Sequence, residues 1–174
     1  LIGGLAGDAL TDADYNIAIG HVALSADTRG SRATAIGYAA LQNQNYTTAT
    51  DNYNTAYGFY AGKAVTTGIK NTLMGGLTGD ALTDADYNVA IGYNTLSTDT
   101  LGSQTVAIGS GALYTQNFTT ATNSYNVAVG SDAGNKVTTG IRNTFVGGLA
   151  GDATDDGDEN VAVGESALSA NCGN

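Results

Sequence analysis

Three groups of residues have the types and spacing for chemistry. The first is acidic. Asp8, Asp12 and Asp14 return as Asp80, Asp84 and Asp86, and a denser group follows at Asp152, Asp155, Asp156, Asp158 and Glu159. Carboxylates crowded into a Gly-rich turn suit a hard cation that prefers oxygen ligands, so Ca²⁺ is the metal to expect, at Asp152, Asp155, Asp156 and Asp158. The segment GGLAGD (3–8) misses the calcium-binding GGxGxD spacing by one residue. The competing reading is solvated turns with Asx-type capping. The second group is aromatic. Tyr46 in QNQNYTTATDNY (42–53) and Phe118 in YTQNFTTATNSY (114–125) sit among amides and hydroxyls. That is the chemistry of stacking on a sugar and bonding its hydroxyls, against the alternative that both rings pack back onto the protein. The third group is an Asn column, Asn16, Asn54, Asn71, Asn88, Asn126, Asn143 and Asn160. Stacked identical amides form a hydrogen-bonded ladder, so these are structural candidates.

Catalysis finds no support here. His21 is the one histidine, and no nucleophile or carboxylate recurs with it in a triad. Paired carboxylates hydrolyse glycans in some folds, but these lie in repeating turns, where a unique active site is not expected. Cys172 takes a turn position held elsewhere by Thr28 and Thr100 and reads as an incidental thiol. The chain is therefore expected not to be an enzyme.

These positions are set by a repeat. Residues 1–72 align without a gap on 73–144, and a partial third copy fills 145–174. Inside the period of 72 lies a shorter one. A pentad ending in Gly recurs as NIAIG (16–20), ATAIG (33–37), NTAYG (54–58), NTLMG (71–75), NVAIG (88–92), TVAIG (105–109), NVAVG (126–130), NTFVG (143–147) and NVAVG (160–164). The glycines are spaced 17, 17, 21 and 17 residues apart, in that cycle. Three before each Gly stands a β-branched residue, and one before it a large, mostly apolar one. Ala lies between them, except at Leu73 and Phe145, and Leu or Gly stands four after. Alternation with period 2 over so short a segment predicts a strand.

No 17-residue unit can bury its own apolar face, but stacked units can. The expected fold is all-β: a parallel β-solenoid, or β-roll, of about ten 17- or 21-residue coils forming one segment over 1–174. The absence of Pro fits, because each coil donates ladder hydrogen bonds to its neighbours. Gly-rich units of this length leave no room for two helices. Large branched side chains fill a core better than small ones, so the Val/Ile columns and the Leu column are expected inside. Lacking an initiator Met, a signal peptide or a polar cap, the chain reads as a window on a longer fibre.

Composition removes other classes. With 6 Lys and Arg against 16 Asp and Glu, the net charge is −10, which argues against nucleic acid. One Cys forms no disulfide framework within the chain, and no apolar run is long enough to span a membrane.

NVAIGYNTL (88–96), TVAIGSGAL (105–113) and NVAVGESAL (160–168) resemble the head repeats of YadA-type trimeric autotransporter adhesins and the NTAVGxxAL repeats of phage tail fibres. The resemblance runs through all nine pentads. It implies a trimer of β-rolls, extracellular, on a cell surface or on a virion, serving as a rigid shaft or adhesive head. The long repeat and its regular four-residue insertion depart from the adhesin pattern and tilt the reading toward a tail-fibre shaft. The partners so implied are further copies of the chain, as homotrimer or homopolymer, and a cell-surface glycan or receptor. Two alternatives stand beside it: a self-polymerising extracellular filament, and a monomeric ice- or glycan-binding solenoid. An ice binder would need an unbroken exposed Thr rank.

Overall fold

The computed structural model describes residues 1–170, and among them there is no helix. Each pentad forms a three-residue strand. The nine are β1 (Ile17–Ile19), β3 (Thr34–Ile36), β5 (Thr55–Tyr57), β6 (Thr72–Met74), β7 (Val89–Ile91), β9 (Val106–Ile108), β11 (Val127–Val129), β12 (Thr144–Val146) and β13 (Val161–Val163). They pair in chain order as one parallel sheet, in the register that the pentads define, with Ala18 opposite Ala35 and Ala90 opposite Ala107. A bridge from Ile2 to Ile19 continues the ladder toward the first residues. Two further pairs occur where the 21-residue coils need them: β2 (Gly30–Ser31) with β4 (Thr50–Asp51), and β8 (Gly102–Ser103) with β10 (Thr122–Asn123). The parallel solenoid is therefore the fold.

The core corrects one expectation. The Ala column faces inward: Ala18, Ala35, Ala56, Ala90, Ala107 and Ala128 are fully buried. The β-branched and Val/Ile columns face outward, with Ile17, Ile19, Tyr57, Met74, Val146, Val161 and Val163 exposed. A 17-residue coil is too narrow for large side chains from both sides. The Leu column reaches across from the opposite wall, with Leu24, Leu41, Leu96 and Leu113 fully buried as expected, and only a methyl group fits beneath it on the strand side.

This narrowness explains the two exceptions in the Ala column. Leu73 and Phe145 are also fully buried. Their space comes from Gly in the Leu column, both in their own coil and in the one before. A Cβ on Gly62 or Gly79 would lie 2.6 or 2.9 Å from Leu73, and one on Gly134 would lie 2.9 Å from Phe145. The corner carrying this column is left-handed, with φ of 52° at Leu96 and 53° at Gly79. Leu therefore holds a conformation that costs it energy and Gly does not. Core filling outweighs that local cost wherever the coil's own strand and the next one both supply Ala.

The pentad-ending Gly has a separate cause. At Gly92, φ is 138°, and a Cβ there would lie 2.6 Å from the Gly109 carbonyl oxygen of the next coil. Backbone approaches backbone at this corner, and no side chain is accommodated.

Candidate functional site

The Asn column is a ladder, but its rungs run mainly through the backbone. Each buried amide joins two coils. Asn88 Nδ2 donates to the Gly102 carbonyl at 2.9 Å, and its Oδ1 accepts from the Thr105 N–H at 2.9 Å. Asn16, Asn54, Asn71, Asn126 and Asn143 repeat both bonds with their own counterparts. Direct amide-to-amide bonds are few, such as Asn160 Nδ2 to Asn143 Oδ1 at 3.1 Å. Ala33 and Thr105 break the column because their coils carry the four-residue insertion. The carbonyl fourteen residues on, which the amide meets elsewhere, is displaced into the inserted loop.

The two inserted loops close over a buried carboxylate that the motifs did not reveal. Asp99 is fully buried. It accepts the Gly102 N–H at 3.1 Å, the Phe118 N–H at 3.0 Å and Gln116 Nε2 at 2.6 Å. Gln116 Oε1 in turn accepts Asn126 Nδ2 at 2.8 Å. Asp27, Gln44, Tyr46 and Asn54 build the same relay one long repeat earlier. Burial pushes the Asp99 carboxyl above its ordinary range, opposed by the donated hydrogen bonds. The available signal was DTRG (27–30) and DTLG (99–102), each followed by a Gln 17 residues after its Asp, once per long repeat.

This network corrects the glycan expectation at Tyr46 and Phe118. Both rings are buried, at 5 % and 6 % exposure. They pack over Gly30 and Gly102, where a Cβ would lie 2.7 and 2.8 Å from the ring. Tyr46 also donates its hydroxyl to the Gly68 carbonyl at 2.7 Å, and burial followed by the Asp27 charge raises its phenol strongly. Neither ring has a face free for a sugar. The loop tips at Thr47–Ala49 and Thr119–Ala121 are exposed instead.

The acidic turns do not form the expected calcium site. Asp155 Oδ1 accepts the Thr138 hydroxyl at 2.6 Å, and Asp158 Oδ1 accepts the Ile141 N–H at 2.7 Å. These two carboxylates thus each cap a turn of the coil before them, whereas Asp152 Oδ1 is buried without a hydrogen-bond partner among the described residues. Among the described residues no three His, Cys, Asp or Glu side chains, Asp152 and Asp156 included, are placed to hold a metal ion. Cys172 lies outside the described residues. His21 is exposed and stacks on Tyr38 at 5.5 Å, and Tyr38 stacks on Phe59 at 5.5 Å.

What remains is a surface. The outward side of the nine-stranded sheet carries a rank of Val, Ile, Thr, Tyr and Met. The column before the Asn ladder borders it with Tyr15, Arg32, Tyr53, Lys70, Tyr87, Gln104, Tyr125, Arg142 and Glu159. From Tyr15 to Tyr87 rings and cations alternate there. Lys70 Nζ bonds the Tyr87 hydroxyl at 2.9 Å, and Arg142 pairs with Glu159 at 3.0 Å. In the first column of the strands Thr is interrupted by Ile17, Val89, Val106, Val127 and Val161. Among the described residues no helix is long and apolar enough to cross a membrane.

Comparisons with protein-family models, with curated proteins and with solved structures returned no match. The functional reading therefore stands on the residues.

Proposed function

We propose that this chain is a length of an attachment fibre, extracellular or virion-borne, in which three parallel copies pack sheet to sheet. The role is structural, with a tail-fibre shaft favoured over an adhesin head. One observation supports it above the rest: an in-register, largely apolar face, exposed or half-buried, that runs the length of the sheet. Contiguous apolar patches of that kind mark protein–protein contact. Repetition supports the same reading, because identical coils add length and stiffness rather than one unique site. The Asn ladder fixes the rise from coil to coil, so copies with identical spacing meet in register along the whole length.

The test is a pair of charge insertions. Ile91→Lys with Ile108→Lys places two ammonium groups on the outward face, and is expected to reduce the assembly to single chains in sedimentation equilibrium. Thr66→Lys with Thr98→Lys, on the turns away from the sheet, is expected to leave it intact. Assembly that survives the first pair would overturn the packing.

A further inference from the structure

We infer that the cleft between Tyr87 and Tyr125 is a binding slot for one neutral sugar ring. The argument compares the two long repeats at positions 72 residues apart. In the first, the Arg32 guanidinium lies 5.0 Å from the centre of the Tyr15 ring and 5.7 Å from that of Tyr53. Its Nε bonds Asp51 at 2.9 Å. A flat group with polar edges thus fits between two phenol rings two coils apart, and here the chain supplies it. In the second repeat Arg32 becomes Gln104 and Asp51 becomes Asn123, so both charges are gone. The shorter Gln leaves an open cleft of about 320 Å³, lined by Tyr87, Gln104, Val106 and Tyr125.

The groups left around the cleft select the ligand. A cation there would lack the carboxylate that Asp51 gives Arg32, and Lys70 already stands 4.8 Å over the Tyr87 ring from the neighbouring coil. An anion would meet a chain of net charge −10. A neutral ligand meets neither obstacle. Two aromatic side chains offer stacking surface, and Val106 offers an apolar floor. The Gln104 amide, both donor and acceptor, has no hydrogen-bond partner within the protein among the described residues, and can serve a ring's hydroxyls. The slot is complete within one chain, but its floor, Val106, lies on the outward face, so it is open to a ligand only where the sheet-to-sheet packing proposed above leaves this edge uncovered.

The experiment compares the wild-type chain with the double variant Gln104→Arg/Asn123→Asp. That variant rebuilds the Arg32–Asp51 arrangement, which the fold already accepts, and leaves the net charge unchanged. The probes are the methyl glycosides of glucose, galactose, mannose and N-acetylglucosamine, with N-acetylarginine amide as the cationic alternative, read by saturation-transfer NMR. Transfer to at least one glycoside is expected in the wild type, with affinity falling roughly tenfold or more in the variant. The proposal is overturned by three results: no transfer to any glycoside, equal transfer in both proteins, or binding of the arginine amide in preference. Mass measured on the same samples reports the assembly separately.

Discussion

A carboxylate sealed beneath a loop with no cation beside it is costly, and the chain places one in each long repeat, at Asp27 and Asp99. Neutral donors hold it, and the Gln that completes the set also fixes the Asn ladder. Because burial raises the folded-state pKa of Asp99 above its unfolded value, ionisation of this group opposes folding. The penalty is present at neutral pH and is relieved as pH falls through the folded pKa. Thermal unfolding of wild type and Asp99→Asn from pH 7 downward is expected to show it. The melting temperature of wild type relative to the variant should rise as the solution becomes acidic, and a constant difference would contradict the assignment. At fixed neutral pH, Asp99→Asn turns a donor toward Gln116 Nε2 and is expected to be destabilising. The ladder makes a sharper demand. Asn88→Ala orphans the Gly102 carbonyl and the Thr105 N–H, each costing about 1–3 kcal/mol. Thr120→Ala, at an exposed loop tip and with no side-chain bond within the protein among the described residues, should stay within about 0.5 kcal/mol in urea unfolding.

At the scale of the coil, size is traded between two walls. Where a coil's own strand and the next both present Ala, the opposite corner presents Leu, and where either presents Leu73 or Phe145 the corner is Gly. Gly79→Leu is therefore expected to collide with Leu73 and Leu82 and to cost about 1–3 kcal/mol. Leu73→Ala alone opens a cavity and costs about 2–5 kcal/mol. Made together, they should cost less than their sum, by about 0.5–3 kcal/mol in a double-mutant cycle. Strict additivity would show that the walls do not sense each other. The same trade explains what was legible in the sequence. The period, the strands, their parallel register and the buried Leu column follow from spacing and pattern, because each depends on neighbours along the chain or on exact repetition. The inward side of the strand did not, because "large means inside" presumes a wide core. The corrective sign was present: Ala scarcely varies, whereas the flanking columns range from Thr to Tyr, and a close-packed narrow interior does not tolerate such a range. Tyr46 and Phe118 follow the second of the two readings their surroundings offer, packing back onto the protein. Their polar neighbours suggested a surface loop, but those polar groups are themselves drawn inward to Asp27 and Asp99.

At the scale of the whole molecule, the coils leave one face unfinished. The walls of the solenoid fill their own interior, yet the sheet turns Ile, Val, Tyr and Met outward along its length. Three copies meeting on that face would remove it from water and yield a stiffer rod than one coil stack alone. The direct test is the absolute mass of the wild-type chain in solution, by light scattering after size exclusion across a range of concentrations, with and without EDTA. One chain weighs 17.4 kDa. A single species of three times that mass, unaltered by EDTA, is the expected result. A species of one chain's mass at every concentration would contradict the fibre assembly at its root.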